Sequence, residues 1–298
     1  MGLKFAKGNR LLKDEILDFY IPNATCQDGI CEGATDLCKK YCYGNGVFRH
    51  STDPHKKKLS TEIIAIENYE ITKTIEFSNE MCKLIEEVSE KRKKKNRKLK
   101  WIRIHSIGDF YDYSYFLKWI EIINRNPDIN FIAYVKNYDV LKEYKDNKGE
   151  VPGNFRVLLS IYPDTYDRYE ADGGKAYVDD LLEQLQRYYK AKKYIVCSRE
   201  YFYQEITKKN PDKVFCNGGT KMVCKYYGLD ARKFMKLFVP GQGCNECMKC
   251  YTSDKCKSGS SIYAVLRTSG NLANLQTFLK KSDKTKYKKL REMYSKEI

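Results

Sequence analysis

Short apolar runs alternate with stretches of helical periodicity along most of this chain, and that alternation limits its fold more than any other feature. The apolar runs are Ile16 to Pro22, Trp101 to His105, Phe131 to Val135, Phe155 to Ile161, Tyr194 to Cys197 and, much later, Ile262 to Leu266. They are short and apolar on both faces, as strands are when both sides are covered. Between them, Phe77, Met81, Leu84, Ile85 and Val88 share one helical face. So do Tyr113, Phe116, Leu117, Ile120 and Ile123, and later Tyr177, Leu181, Leu182, Leu185 and Tyr188. Shorter helices are expected over Asp139 to Tyr144 and Tyr201 to Lys209. The fold class is therefore α/β, a parallel sheet with right-handed crossovers and helices outside.

A complete eight-fold barrel takes about 250 residues. With 298 residues and a separate cysteine-rich segment, the expectation is a partial (β/α)6 TIM-like barrel over residues 16–215. A cysteine-rich C-terminal extension follows over 216–298, with basic helices in its tail. Chemistry in such a fold gathers in the loops after the carboxyl ends of strands. Two unusual loops fall there: Cys31 to Cys42 after the first strand, and Ser106 to Phe110 after the second, its expected neighbour.

The twelve cysteines cluster: four lie between Cys26 and Cys42 and six between Cys216 and Cys256. A charged N-terminus without a signal peptide's apolar core, and no apolar run near bilayer length, lead us to expect a cytoplasmic protein without a membrane partner. In that reducing setting clustered cysteines point to metal, and with only three histidines ligation would be by thiolate. Cys31-x6-Cys38-x3-Cys42 brings three thiolates to one loop and leaves a metal centre one open position, as a reactive [4Fe–4S] cluster requires. Zinc is the competitor, with Cys26 completing a tetrahedron. In the second group, Cys244-x2-Cys247-x2-Cys250 has the spacing of ferredoxin loops, with Cys216 or Cys224 as a fourth ligand and Cys256 further on. Zinc competes there too.

The Ser106-Ile107-Gly108-Asp109 loop offers backbone amides, a hydroxyl and a carboxylate able to hold an ammonium group on a ligand. The plainer alternative is a turn in which Asp109 or Asp112 caps the next helix. His105 reads as a core histidine, His50 and His55 as solvent-facing, and Cys82 as core. Most tyrosines suit core packing, with Tyr41, Tyr43 and Tyr134 the ones placed for a functional role. The net charge of +16, much of it in Lys91 to Lys100 and Lys280 to Arg291, is compatible with nucleic acid as a partner or with solvated helix faces.

An aromatic-Cys ending to a first-strand cysteine loop, followed by a Gly-acidic loop after strand two, resembles the radical S-adenosylmethionine enzymes. That resemblance implies a partial barrel in which Cys31, Cys38 and Cys42 bind a [4Fe–4S] cluster. It further implies that Ser106, Gly108 and Asp109 hold S-adenosylmethionine, that an electron donor serves the cluster, and that the late cysteines bind an auxiliary cluster. The x6 and x3 spacing departs from the x3 and x2 usual in those enzymes. A closer resemblance, over most of the chain, is to the phage "gene-product eighty-eight" family. It rests on Cys31-Glu-Gly-Ala-Thr with Cys38 and Cys42-Tyr43, on Arg103-Ile-His105-Ser106-Ile-Gly108-Asp109-Phe110, on Tyr134-Val-Lys136, and on the late cysteines. That family implies a host-cytoplasmic phage protein without an established activity. From another class, a non-catalytic metal-stapled protein that binds nucleic acid or regulates remains the alternative.

Overall fold

A computed structural model of the chain describes residues 2–6, 16–23, 30–40, 42, 58–197, 214–215 and 261–265. Strand β1 (Ile16–Tyr20) is followed by a short helix α1 (Asp36–Lys40), then by α2 (Lys58–Thr72) and α3 (Phe77–Lys93). Next come β2 (Trp101–Ile107), α4 (Tyr113–Arg125), β3 (Asn130–Val135), α5 (Tyr138–Asp146) and β4 (Phe155–Ile161). A 3-10 turn (Asp167–Asp172), α6 (Gly174–Tyr188), β5 (Lys192–Cys197), β6 (Val214–Phe215) and β7 (Ser261–Val265) complete the order.

The first five strands stand in chain order, each parallel to the next, and β7 and then β6 extend the row. The expected α/β class and parallel sheet are thus present. The six apolar runs stand in chain order, with β7, the run from Ile262, in sixth place, and the short β6 lies outside it. Among the described residues β1 and β6 are the edges, with one antiparallel bridge from Ala6 on the outer side of β1. The sheet of the 16–215 unit therefore includes a strand drawn from the 216–298 segment.

Four helices cover one face. Phe77, Met81 and Ile85 of α3, Phe116, Trp119 and Ile123 of α4, Leu141 of α5 and Leu181 and Leu185 of α6 share one core with the strand residues Phe19, Ile102, Phe131, Val157 and Leu159. Burying such side chains contributes roughly 1.5–3 kcal/mol each. Successive helices also touch their neighbours on that face, α3 with α4, α4 with α5 and α5 with α6. On the opposite face, Arg103 lies over the Tyr134 ring at 4.6 Å, and Tyr134 meets Tyr194 edge-on at 5.0 Å. Burial pushes the Asp18 carboxyl up there, opposed by the Arg103 charge and by the Ser106 and Tyr20 hydroxyls.

Three local features depart from the sequence reading. The helical stretch from Leu59 to Glu90 is two helices, broken where Ile71, Thr72, Thr74 and Ile75 crowd β-branched side chains together. There the Thr72 and Thr74 hydroxyls donate to the Tyr69 and Ile71 carbonyls at 2.6 and 3.0 Å. The strand expected to stop at His105 runs to Ile107 through a bulge, since Asp18 pairs with Arg103 but Tyr20 with Ile107. His105 takes φ 58° in that bulge. Finally, α1 and the 3-10 turn occupy what reads as loop. Tyr201 to Lys209 and the basic tail lie outside the described residues. Among the described residues no helix is long and apolar enough to cross a membrane.

Candidate metal centre

The chain leaves β1 at Tyr20 and returns to the carboxyl mouth of the sheet through residues 30–40. Ile30 anchors this return in the core. A turn closed by the Ala34 amide on the Cys31 carbonyl at 3.0 Å then reverses the chain. Thr35 begins α1, its hydroxyl accepting from the Cys38 amide at 3.2 Å. Gly33 is the point of closest approach. A Cβ there would sit 2.2 Å from the Asn137 nitrogen and 2.3 Å from the Lys136 carbonyl carbon. The loop is thus seated against the end of β3 by the absence of a side chain. It is also strapped to the connection after β4, where an Asp164 carboxylate oxygen accepts from the Leu37 amide at 2.7 Å.

This seating brings Cys31, Cys38 and Cys42 into one mouth, all three as free thiols. Each of Cys31 and Cys38 lies within electrostatic reach of the other cysteines or of Cys42, and both face Lys136 and Asp109. Burial pushes the Cys31 thiol up, with Asp109 adding to it and Lys136 opposing. Burial pushes Cys38 up as well, against the Lys136 charge. The Tyr162 hydroxyl lies beside Cys38, and buried Asn23 donates through Nδ2 to Cys42 Sγ at 3.3 Å.

Lys136 is the residue that sequence reading left without a role. Its ammonium stands 4.0 Å from Asp109 and makes no hydrogen bond to another described residue. Burial works against its charge, but Cys38, Asp109, Tyr162 and Cys31 together outweigh that and hold the lysine above its ordinary pKa. The available signal was its position, a lysine directly after the apolar run of β3 and so at the mouth. Asn23, after Pro22 at the end of the first apolar run, gave the same kind of signal.

The expected cofactor-binding trio is built into the fold. One Asp109 oxygen accepts from the Phe110 amide at 2.8 Å, and the other accepts from the Lys136 and Asn137 amides at 2.8 and 3.3 Å. The ammonium nearest this carboxylate belongs to Lys136, so Asp109 joins the loop after β2 to the end of β3. Helix capping falls to Asp112, which accepts from the Tyr115 amide at 2.7 Å. Gly108, at φ 97°, packs so closely on Ile21 that a Cβ would lie 2.2 Å from it. Ser106 faces Asp18. His105 is a core histidine, 2.7 Å from the Tyr115 hydroxyl and edge-on to Phe110, and burial holds its pKa well below the ordinary value. Cys82 packs against the core and accepts from Asn126 at 3.4 Å. The cysteines Cys26, Cys216, Cys224, Cys244, Cys247, Cys250 and Cys256, with Tyr41, Tyr43, His50 and His55, lie outside the described residues.

Among the described residues no group of three metal-binding side chains is close enough to clasp a single ion. Tetrahedral zinc, with Zn–S bonds of about 2.3 Å, draws its thiolates to about 3.8 Å of one another. A cube of iron and sulfide sets its thiolates further apart.

The sequence profile of the family described as Gene product 88 matches residues 3–253. The Gene 88 protein of Mycobacterium phage L5 is 28% identical over 155 residues, covering 50% of this chain and 61% of that protein. The Gene 88 protein of Mycobacterium phage D29 is 26% identical over 160 residues, covering 52% of this chain and 62% of that one. The chain thus aligns with less than two thirds of the length of either relative. No solved structure matches.

Proposed function

The chain belongs to the Gene product 88 family of phage proteins, and we propose that it is an iron–sulfur protein with one [4Fe–4S] cluster on Cys31, Cys38 and Cys42. The reading includes a partial-barrel curvature of the sheet and radical S-adenosylmethionine-type activity on a substrate in the mouth. A second cluster on Cys216, Cys244, Cys247 and Cys250 belongs to the same proposal. The observation that carries it is the Lys136 ammonium, within electrostatic reach of the Cys31 and Cys38 thiols and beside a carboxylate already engaged by backbone amides. The one carboxylate at 4.0 Å is shared with three backbone amides, so thiolates on a metal centre would add to the balance of this charge.

When bound, a cluster with one iron free of protein ligands supplies a single electron at low potential and an open position for a guest. The chain's own residues do the rest. Lys136 offsets the negative charge of the thiolates, and Asp109 fixes the backbone from which that lysine springs. Asn23 Nδ2 donates to Cys42 sulfur, and the Tyr162 hydroxyl stands where it can donate to Cys38. Such donors raise a cluster's potential. The buried walls, with Ala34, Thr35 and Cys38 among them, restrict water.

Anaerobic purification followed by iron, sulfide and zinc analysis tests the reading. Iron and sulfide in equal amounts are expected, with part of the brown absorbance lost on Cys38→Ser and the rest on Cys247→Ser. Zinc without sulfide overturns it in favour of a metal-stapled binding protein. Reduction with S-adenosylmethionine and assay for 5'-deoxyadenosine then tests the activity, and a cluster without cleavage removes that part alone.

A further inference from the structure

The thiols occupy one end of the sheet, and the other end has its own character. Because the strands are parallel, each helix that returns across the sheet finishes at their amino ends. Helices α3, α5 and α6 all stop there through a residue in the left-handed region: Asn96 at φ 54°, Lys148 at φ 54° and Lys190 at φ 49°. The backbone closes these turns firmly. The Arg97 amide donates to the Arg92 carbonyl at 3.0 Å, Gly149 to Tyr144 at 3.0 Å and Ala191 to Gln186 at 3.0 Å. Glycine is the ordinary residue at this position, because a Cβ there is strained. Two of the three places hold lysine, so the chain keeps an ammonium where its backbone would favour none.

These lysines have company. Lys94, Lys95, Lys98 and Lys100, between α3 and β2, are exposed and make no ion pair among the described residues, with Lys94 in electrostatic reach of Glu90. Lys148 and Lys190 are exposed and equally unpaired among them. Lysines in a helix's last turn also complement its carbonyl ends, which accounts for Lys91 and Lys93 but not for Lys98 and Lys100 beyond the helix. On the acidic side stand the exposed Asp128 and Glu150, with Glu90 held by Lys93 at 2.7 Å. A cavity of ≈ 530 Å³ opens between the starts of β4 and β5, bordered by Arg156 and Lys190. From β2 to β5 the row spans about 14 Å at the usual strand spacing. That length matches about four phosphates along one strand of a duplex.

We propose that the amino end of this sheet is a docking surface for the phosphate backbone of duplex nucleic acid, held by Lys94, Lys95, Lys98, Lys100, Lys148 and Lys190. Lysines on rigid turns act as point charges and read no bases, so binding is independent of sequence. The surface lies a strand's length, about 20 Å, from the thiol mouth. Bound duplex is therefore an anchor, and whatever reacts at the thiols is another molecule. The inference holds whether or not the thiols carry iron.

Fluorescence anisotropy on the full chain with a fluorescein-labelled duplex of about 20 bp tests it. The wild type should bind with a log–log salt slope of about −4 to −5. The variant K94A/K95A/K98A/K100A should bind at least about tenfold more weakly, its slope flattened by about 3 to 4. K148G/K190G should weaken binding about threefold while raising Tm, a loss that unfolding could not produce. Wild-type affinity and slope in the quadruple variant would assign binding to the 280–291 run and overturn the proposal. Binding to phosphatidylserine vesicles without binding to duplex would also overturn it.

Discussion

The two ends of this sheet answer the same problem, how to place charge, in opposite ways. At the carboxyl end charge is enclosed: Lys136 is turned inward among thiols, and both oxygens of Asp109 are taken by backbone amides. At the amino end charge is displayed on exposed lysines, two of which, Lys148 and Lys190, sit in left-handed backbone. An enclosed charge needs its partners in place before the fold is complete, whereas a displayed charge takes its partner from solution. The first arrangement builds a site for a resident group and the second a surface for a passing polyanion.

Glycine substitutions at the two ends should break this contrast most sharply. Gly33→Ala drives a Cβ into the Lys136–Asn137 backbone, while Gly153 has open space around it. We expect Gly33→Ala to cost about 3 kcal/mol in urea unfolding and to lower the iron content. Gly153→Ala should change stability by less than about 0.5 kcal/mol.

Lys136→Met is next in size. It removes the ammonium that stands 4.0 Å from the buried Asp109, the one ion-pair partner of that carboxylate among the described residues, yet three amides still serve it. A loss of about 2 kcal/mol is expected, below the full cost of breaking a buried pair. If iron is bound, its reduction potential should fall, measurable by spectroelectrochemistry.

A pH series sharpens the enclosed side. Burial depresses the His105 pKa well below its ordinary value of 6.5, so the folded chain refuses a proton that the unfolded chain accepts. The contribution is present above about pH 6.5 and is lost as pH falls from there toward the folded pKa, by up to about 1.4 kcal/mol per unit. Urea unfolding at pH 7 and 5.5 should show this loss in the wild type. In His105→Gln, which keeps a polar partner for the Tyr115 hydroxyl, the same comparison should be flatter. The smallest effect belongs to the displayed side: Lys148→Gly should raise stability by up to about 1 kcal/mol, read as a Tm increase.

Much of the scaffold could be read from sequence because its signals are local. The apolar runs at Ile16, Trp101, Phe131 and Phe155 announce β1 to β4, and the stripes through Phe116 and Leu181 announce the helices that cover them. The three thiols of the first loop, and their place beside the second, could be read as well. The meaning of Asp109 could not. Its partners lie at Lys136 and Asn137, 27 and 28 residues away, and no local pattern records a bond between two strand ends. The bulge at His105 escaped for a related reason, since a positive φ on a histidine is imposed by the fit of β2 against β1. The order of the last strands likewise had no sequence cue, because Val214–Phe215 is too short to read as a strand.

That order has a temporal consequence. Strand β6 pairs only with β7 among the described residues, and β7 is also the neighbour of β5. On the ribosome, β5 and β6 emerge well before the segment that must slide between them. Until residues 261–265 leave the exit tunnel, β5 keeps one naked flank and β6 has nothing to join. Synthesis therefore finishes the sheet out of sequence, and a chain halted short of Ser261 would expose a sticky margin to its neighbours.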